Sequence, residues 1–237
     1  MNVLGLKNTG KVIAYYNPSL QKTEQYSFYN LITKKNDNIT PVNFDNIIFG
    51  KEYSYDFTNI ENYLSIPNEV VPFDTKAFSF SFKLIEETNP YTIIQIPGKL
   101  TINIRFGDGN RLSFLSTTKK MKSTTKFIVG NIYNVYVDFY NGIICINDAT
   151  NTATNISNSW SLDGGESIRI GRGNYGGYYS ARFNLYEFAF YNETLTQEEI
   201  NTLFLDKTIG LSEKIKSSVK DAIVNHEFIK YLSRQEE

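Results

Sequence analysis

The chain has 237 residues, with 24 Lys or Arg and 25 Asp or Glu, so its formal net charge is only -1. This length allows one domain with a buried core, while a charge near zero gives no overall field to attract nucleic acid or an anionic membrane as a partner. No apolar run approaches the roughly 20 residues of a membrane span, and the N-terminus lacks signal-peptide features, which predicts an unprocessed, leaderless protein.

The composition favours β-strands, because Tyr and Phe each occur 17 times and turn-forming residues recur at short intervals. The first strand is predicted at 12–16 and ends before Pro18, whose nitrogen has no hydrogen to donate. The segment 21–49 is polar and irregular, which predicts a long surface excursion. Two short strands, or one bent strand, are predicted at 53–57 and 62–66.

The clearest strand signal lies at 77–85, where Phe78, Phe80, Phe82 and Leu84 alternate with mostly polar residues. An apolar period of two over this length indicates a strand rather than a helix. The segment is therefore predicted to place one aromatic face in the core.

Turn signals divide the centre of the chain into further strands. Asn141-Gly142 predicts a two-residue type I′ hairpin turn, because both residues tolerate a positive φ. The sequence GDGN at 107–110 predicts another hairpin loop. The strands that these turns separate are predicted at 91–96, 99–106, 111–116, 124–129, 132–140 and 143–147.

The last strands are predicted at 167–171 and 181–191. In the second of these the apolar alternation changes phase near Glu187, which predicts a β-bulge. Two helices follow. The first, at 196–205, begins with Thr196 and has Glu199 three residues later, which is a capping-box pattern, and its Ile200, Leu203 and Phe204 form an apolar stripe.

The second helix is predicted at 212–232 and is amphipathic. A helix with an apolar stripe must bury it against something. We expect the stripe to dock on a partner or to mediate self-association, with folding back onto the preceding domain as the alternative. The stripe consists of Ile215, Val219, Ala222, Ile223, His226 and Ile229.

Several motifs resemble the laminin-G-like, concanavalin A-like superfamily, in that family's order. The sequence YSYDFTNIENYLSIP at 53–67 resembles its F-D-G-x-x-D-Y-V-x-I-P motif, with Ile60 and Asn62 departing from the usual Gly and Asp. FSFSF at 78–82 resembles F-S-I-S-F-W, and 133–140 resembles W-Y-x-V-x-x-V. IRIG at 168–171 resembles L-x-I-G, and 184–204 is similar to the closing D-E-V-R-I-Y-N-R-A-L-S-x-x-E-I-x-x-L-Y.

The resemblance covers roughly 12–205 and implies an all-β, two-sheet antiparallel jelly-roll sandwich of the concanavalin A type with a short capping helix. The C-terminal amphipathic helix, predicted from its periodicity, follows it. The sandwich would occupy residues 1–205 and the helical tail residues 206–237. The opening VIAYYNPSL and the later SFYNLITKKNDNIT resemble the L-Y-L-D and W-x-D-L-S-G-N-N motifs of family members found in bacteriophage virion proteins. Here Ile32-Thr33-Lys34 replaces the usual Ser-Gly-Asn.

The function implied by the resemblance is a non-enzymatic structural component of a bacteriophage virion, as a capsid decoration, fibre or tail protein. Such a protein would be assembled in the cytoplasm of the bacterial host and would contact other virion proteins. A free carbohydrate-binding module that contacts glycans is the alternative. A glycoside hydrolase is a third class within this fold.

The residues argue against the hydrolase. No E-x-D-x-x-E pattern is present, and the adjacent Glu86 and Glu87 would point to opposite faces of a strand. The single histidine, His226, lies in the tail helix, far in sequence from the single cysteine, Cys145, which is predicted to be a buried core residue. No catalytic residue is therefore predicted.

Two loops have the residue types of binding sites. Asp108, Asn110 and Asp163 offer the hard oxygen ligands that Ca²⁺ prefers, although turn formation alone also explains them; no other cofactor is predicted. The glycine-rich segment 171–179 combines aromatic faces with planar hydrogen-bonding groups, as glycan sites do, although local packing of its tyrosines is the alternative. Its candidate glycan-binding residues are Arg172, Asn174, Tyr175, Tyr178 and Tyr179.

Overall fold

The computed structural model describes residues 3, 6, 9–18, 28–42, 44, 54–57, 62–71, 75–86, 91–96, 102–107, 111–115, 120–138, 140–147, 149–152, 167–172 and 182–205. These residues form sixteen strands and one helix. The elements are Val12–Tyr16 (β1), Phe28–Asn30 (β2), Lys35–Asp37 (β3), Thr40–Val42 (β4), Tyr55–Phe57 (β5), Tyr63–Ile66 (β6), Ala77–Leu84 (β7), Tyr91–Ile96 (β8), Ile102–Gly107 (β9), Arg111–Leu115 (β10), Lys120–Lys126 (β11), Ile132–Asp138 (β12), Ile143–Ile146 (β13), Ala149–Thr152 (β14), Ile168–Ile170 (β15), Phe183–Tyr191 (β16) and Gln197–Leu205 (α1).

The strands form two seven-stranded sheets and one two-stranded hairpin. In the first sheet the order is β1-β16-β7-β12-β13-β14, with β5 also pairing with β16. In the second sheet the order is β11-β10-β9-β8-β15-β6-β4, and β2 pairs with β3. The pairings within both sheets are antiparallel. The chain is therefore an all-β sandwich, as the sequence predicted.

The main core is formed by inward-facing aromatic and aliphatic side chains of both sheets. Phe80 and Phe82 of β7 are fully buried in one cluster with Leu64 of β6 and Ile170 of β15. Their burial confirms the predicted aromatic face of the segment 77–85. Stacked sheets lie about 10 Å apart, and large rings fill such a gap.

A second buried cluster lies on the opposite, outer face of the first sheet. Tyr136 and Tyr191 alternate with core residues along their strands, and they pack in this cluster with Leu203 and Phe204 of α1 and with Val3 near the N-terminus. The predicted apolar stripe of α1 is thus confirmed. The predicted capping helix covers this outer face of the first sheet, because the face presents apolar groups that need covering.

The start of α1 has the predicted capping box. The backbone N–H of Glu199 donates to the Thr196 hydroxyl at 3.2 Å, and the backbone N–H of Thr196 donates to the Glu199 carboxylate at 2.6 Å. Lys11, just before β1, pairs with the same carboxylate at 2.7 Å. This shared carboxylate therefore joins the first strand to the last element described.

The predicted irregularity near Glu187 is also confirmed. The register of β16 against β7 shifts between Leu185 and Glu187. One extra residue in β16 lets Phe183 and Leu185 on one side of the shift, and Phe188 on the other, reach the same core.

Other expectations were wrong in detail. The segment 21–49 is not wholly irregular, because it contains β2, β3 and β4, and the polar residues 149–152 form the edge strand β14. The strand predicted at 124–129 lies at 120–126 instead. Short edge strands do not need an alternating apolar pattern, which is why no periodic signal marked them. Pro41 is tolerated in β4 because this strand ends the second sheet.

The hairpin at Asn141-Gly142 exists, but it is not a two-residue type I′ turn. Asp138 pairs with Ile143, so four residues, 139–142, connect β12 to β13. Gly142 alone of the pair takes a positive φ, of 70°. The Asp138 carboxylate accepts the backbone N–H of Asn141 at 2.8 Å, and this hydrogen bond stabilises the wider loop.

The turn between β2 and β3 contains Lys34 in the left-handed conformation, with φ of 59°. Lys34 stands at the position where the resembling family usually has Asn, which tolerates this conformation better. The side-chain oxygen of Asn30 accepts the backbone N–H groups of Ile32 and Tyr15 at 3.0 and 3.2 Å. These two hydrogen bonds hold the turn against β1.

The tail residues 206–237 lie outside the described residues. The predicted second helix, with its stripe of Ile215, Val219, Ala222, Ile223, His226 and Ile229, and the domain boundary after 205 therefore stay predictions. No helix in the described part of the chain is long and apolar enough to cross a membrane.

We expect Glu199→Gln to reduce the loss of stability in acid. Partial burial acts to raise the pKa of Glu199, but hydrogen bonds from Lys11 and Thr196 outweigh it, so the pKa lies below its ordinary value of 4.5. A depressed carboxyl pKa stabilises the folded state above the unfolded pKa, and this contribution is lost as the pH falls through the folded pKa. Urea unfolding between about pH 6 and about pH 3 measures the effect.

The matched control is Glu198→Gln, since Glu198 is exposed in the same helical turn. If both variants change the pH dependence of the free energy of unfolding equally, the contact with Lys11 is not its source.

Candidate functional site

A row of polar residues crosses five neighbouring strands of the second sheet. Thr40 pairs with Ser65, Ser65 with Arg169, Arg169 with Gln95, and Gln95 with Asn103. Residues paired across antiparallel strands share a face, and adjacent strands are about 4.8 Å apart, so the row spans about 20 Å. Neighbouring positions such as Leu64 and Ile170 face the core, so the row lies on the outer face. Along it Thr40 is exposed, Ser65 and Arg169 are partly exposed, and Gln95 is buried.

Beside this row, one tyrosine contacts two arginines. The guanidinium carbon of Arg169 lies 5.9 Å from the centre of the Tyr63 ring, and that of Arg172 lies 5.2 Å from it. All three side chains are partly exposed. Cations at such distances are attracted to the ring, so Tyr63 holds both guanidinium groups close together on this surface. We call these three residues the Arg–Tyr–Arg cluster.

Gly171 explains how two arginines three positions apart reach one ring. In a regular strand, residues at an odd spacing point to opposite faces. Gly171 has φ of 98°, which ends the alternation after β15, and its N–H donates to the carbonyl of Ile93 at 2.6 Å. A Cβ at this position would clash with the Phe57 ring and would lie 2.8 Å from the Asn62 carbonyl oxygen, so only glycine fits.

The two sheets differ sharply in charge. The seven strands of the second sheet contain no Asp or Glu and have six basic residues: Arg105, Arg111, Lys120, Lys122, Lys126 and Arg169. The strands of the first sheet contain one basic residue, Lys83, and three acidic residues, Asp56, Asp138 and Glu187. The strand charges are therefore 6 - 0 = +6 and 1 - 3 = -2. The Arg–Tyr–Arg cluster thus lies on the basic sheet.

A second polar constellation surrounds the buried Glu187 on the outer face of the first sheet. Its carboxylate accepts hydrogen bonds from the Tyr15 hydroxyl at 2.5 Å, the Ser81 hydroxyl at 2.9 Å and the Asn17 amide at 3.3 Å. The Ser81 hydroxyl is also 2.5 Å from the side-chain oxygen of Asn134. Burial, and then the charge of Glu187, raise the pKa of Tyr15, so its hydroxyl stays a donor.

The buried carboxylates of the described residues do not form a hydrolytic pair. Asp138 pairs with Ala77 on β7, whereas Glu187 pairs with Ser81, four residues further along that strand. Four residues span about 13 Å, which exceeds the roughly 5 to 10 Å between the two carboxyl groups of glycoside hydrolases. Burial also raises the pKa of Asp138, although hydrogen bonds from Asn141 oppose the shift. The Glu187 carboxylate instead has a structural role, because its hydrogen bonds join β16 to Tyr15 of β1 and to Ser81 of β7.

Of the glycan-binding residues predicted from the sequence, Arg172 is described, and it lies against Tyr63. The predicted residues Asn174, Tyr175, Tyr178 and Tyr179 lie outside the described residues. So do the predicted Ca²⁺ ligands Asp108, Asn110 and Asp163. Among the residues described, no group of three or more His, Cys, Asp or Glu could hold a metal ion.

Two other residues that were weighed as catalytic, Glu86 and Cys145, have structural roles. Glu86 is half-exposed and pairs with Arg182 at 2.6 Å, as a solvated strand end would. Cys145 is buried as a free thiol, which confirms its predicted core position.

Sequence reasoning missed Tyr63 and Arg169. The alternation of Ile168, Arg169 and Ile170 did carry a signal, because it turns the arginine away from the core. No pattern along the chain indicated that β6 lies beside β15, and this pairing is what brings Tyr63 to both arginines.

No protein-family model matches the chain, and no curated protein sequence matches it. Several solved structures do. Trypanosoma rangeli sialidase in complex with sialic acid superposes with a TM-score of 0.63 at 10% identity over 84% of this chain and 33% of the sialidase. The fourth domain of an extracellular arabinanase from Geobacillus stearothermophilus, in complex with arabinotriose, has a TM-score of 0.55 at 17% identity over 81% of this chain and 98% of that domain.

A third similar structure is the receptor-binding domain of a botulinum neurotoxin of C/D mosaic serotype. It gives a TM-score of 0.59 at 11% identity over 84% of this chain and 52% of the other chain. At these identities the comparisons establish the fold alone. The chain spans about one third of the length of the sialidase, so it corresponds to part of that enzyme.

We expect Gly171→Ala to destabilise the protein by about 2 to 5 kcal/mol, because it adds a positive-φ penalty to a clash with Phe57. Gly130→Ala is the matched control: Gly130 also has a positive φ, but nothing lies within 4 Å of its added Cβ. We expect it to cost no more than about 2 kcal/mol. Urea denaturation measures both changes, and equal losses would contradict the steric role of Gly171.

Glu187→Ala is expected to cost about 2 to 4 kcal/mol of unfolding free energy, because it leaves the buried hydroxyl of Tyr15 without its acceptor and removes one acceptor from Ser81 and from Asn17. The exposed Glu193→Ala should change stability by less than about 0.5 kcal/mol. Thermal and urea unfolding compare the two variants, and a neutral effect at Glu187 would show that the constellation does not stabilise the sheet.

Proposed function

We propose that the chain is a non-catalytic carbohydrate-binding module and that its ligand contacts the outer face of the second sheet. The observation that carries the proposal is the Arg–Tyr–Arg cluster, which lies beside the exposed Thr40 and the partly exposed Ser65 on this face.

The residue types of this surface suit a sugar. A pyranose ring has an apolar face that packs on an aromatic ring and an edge of hydroxyl groups that pair with fixed planar donors and acceptors. Tyr63 offers an aromatic ring, and the partly exposed Arg169 offers planar guanidinium donors close to it. Strands β6 and β15 hold Tyr63 and Arg169, which lowers the entropy lost on binding.

Two similar structures give this proposal further support. One is a sialidase in complex with sialic acid, and the other is an arabinanase domain in complex with arabinotriose. Nearly the whole length of the arabinanase domain corresponds to this chain, so the same fold occurs there as a unit within a larger protein. These likenesses concern the fold, and the binding surface is argued from the residues of this chain.

The non-catalytic part of the proposal rests on the carboxylates. The strands beneath the Arg–Tyr–Arg cluster contain no Asp or Glu. Glycoside hydrolysis by the usual mechanisms needs two carboxyl groups on either side of the scissile bond. These strands can supply hydrogen-bond donors to a ligand, but they supply no carboxyl group that could act as general acid or nucleophile.

The virion role implied by the sequence resemblance remains a separate hypothesis. Neither the sialidase, the arabinanase domain nor the neurotoxin domain is a virion protein, and the tail that would dock on other virion proteins lies outside the described residues. Assembly in the host cytoplasm and self-association through the tail belong to this same hypothesis.

We expect the full chain to bind oligosaccharides on a glycan array and to release no reducing sugar from them. Tyr63→Ala should weaken the binding on the order of tenfold or more, because it removes the ring that positions both arginines. The matched control is Tyr140→Ala, since Tyr140 is 40% exposed and lies outside the second sheet. Equal binding by the wild type and the Tyr63 variant would place the site elsewhere, and sugar release would contradict the non-catalytic proposal.

A further inference from the structure

We infer that Asn141 is a site of spontaneous deamidation, and that Asp138 keeps it an amide while the protein is folded. This inference concerns the hairpin between β12 and β13 and does not depend on the proposed carbohydrate-binding function. Asn141 is exposed and is followed by Gly142, which is buried. Water therefore reaches the Asn141 side chain, while its reaction partner, the backbone nitrogen of Gly142, is held within the hairpin.

Deamidation begins at the backbone nitrogen of Gly142. This nitrogen gives its proton to hydroxide and attacks the side-chain carbonyl carbon of Asn141, and the new C–N bond closes a succinimide ring. The C–N bond of the side-chain amide then breaks, and its nitrogen takes a proton from water and leaves as ammonia. Water opens the ring at either carbonyl and gives aspartate or isoaspartate. Glycine favours ring closure, because it has no Cβ to crowd the attacking nitrogen.

The three donor groups of Asn141 and Gly142 all donate to Asp138. The backbone N–H of Gly142 donates to the backbone carbonyl of Asp138 at 3.0 Å. The side-chain amide of Asn141 donates to Oδ2 of the Asp138 carboxylate at 2.8 Å, and its backbone N–H donates to Oδ1 at 2.8 Å. The attacking nitrogen and the group that it attacks are therefore both held by one residue.

These hydrogen bonds oppose the reaction at two steps. Removing the proton of Gly142 leaves a negative nitrogen facing the Asp138 carbonyl oxygen, and the nearby carboxylate makes that negative form less favourable. The Asn141 amide must also leave the carboxylate before it can turn towards the nitrogen. A hydrogen bond to a charged group is stronger than a neutral one, so breaking it first slows ring closure on the order of tenfold.

The first sheet fixes the position of the Asp138 carboxylate. Asp138 is 1% exposed and is the last residue of β12, where it pairs with both neighbouring strands, β7 and β13. Burial raises the pKa of its carboxyl group, whereas hydrogen bonds from Asn141 and Tyr140 and the charge of Lys76 oppose the rise. Asn141 therefore supplies hydrogen bonds that stabilise a buried negative charge.

The product of deamidation no longer fits this hairpin. An aspartate at position 141 has an oxygen where the amide nitrogen now donates to Asp138 at 2.8 Å. Two carboxylates would then face each other with no proton between them, and like charges at such a separation repel. Because Asp138 is buried in the first sheet, this repulsion weakens the connection between β12 and β13.

The first test compares the folded chain with the same sequence without its fold. The full chain and a synthetic peptide of residues 136–146 are incubated in the same mildly alkaline buffer, and mass spectrometry follows the conversion of Asn141. We expect Asn141 to react more slowly in the folded chain than in the peptide, on the order of tenfold or more. Equal rates would overturn the inference.

Asp138→Asn tests the role of the carboxylate. The variant keeps the shape of the side chain but has one acceptor oxygen instead of two, so we expect Asn141 to react on the order of tenfold faster than in the folded wild type. The matched control is Lys76→Gln, which removes the contact of Lys76 with the Tyr140 ring, 5.5 Å away in the same hairpin, and keeps the acceptors of Asp138. An unchanged rate in Asp138→Asn, or an equal rise in both variants, would overturn the role of Asp138.

Hydrogen exchange in the wild type gives a measurement that needs no folded variant. The backbone N–H of Gly142 is buried and donates to Asp138, so it should exchange more slowly than in the peptide, on the order of tenfold or more. Exchange at the rate of the peptide would overturn the inference even if Asp138→Asn fails to fold.

Asn141→Asp and Asn141→Ala test the effect of the product. Both variants lose the side-chain amide donor, and only Asn141→Asp adds a negative charge beside Asp138. We expect Asn141→Asp to unfold at a lower urea concentration than Asn141→Ala, because its carboxylate repels that of Asp138. Equal unfolding midpoints would overturn the expected repulsion between the product and Asp138.

Discussion

The packing of aromatic rings between the two sheets is the constraint on which the rest of this structure depends. Phe78, Phe80 and Phe82 fill the space between the sheets from one strand. Because side chains alternate along a strand, this packing forces Ser79 and Ser81 to the opposite face. The residues that alternate with the core residues along each strand therefore determine the composition of the two outer faces.

The two outer faces differ in what covers them. The face of the first sheet is covered by α1 and by residues near the N-terminus, and its one polar constellation is occupied with joining strands around Glu187. The face of the second sheet keeps partly exposed arginines beside Tyr63. The accessible part of this face lies at β6 and β15, where Tyr63 and Arg169 are partly exposed, whereas Thr92 and Gln95 of β8 are buried.

Local signals in the sequence were sufficient for some features and insufficient for others. The bulge near Glu187 and the capping box of Thr196 could be predicted because each depends on residues a few positions apart. The edge strands β4 and β14 could not, since a short edge strand packs few side chains and needs no apolar alternation. The turn at Asn141-Gly142 was predicted too tight because the carboxylate of Asp138 was not considered as its partner.

By itself, the sequence determined the all-β class, the inward face of each long strand and the residue types available for binding, because these follow from periodicity along the chain. Only the tertiary structure decided which strands share a sheet. That pairing gathers six basic residues on one sheet, although the charges of the whole chain sum to -1. It also places Tyr63 beside Arg169 and Arg172, more than 100 positions away in sequence. Hydrogen bonds between strands carry this information, and they join residues that no local pattern relates.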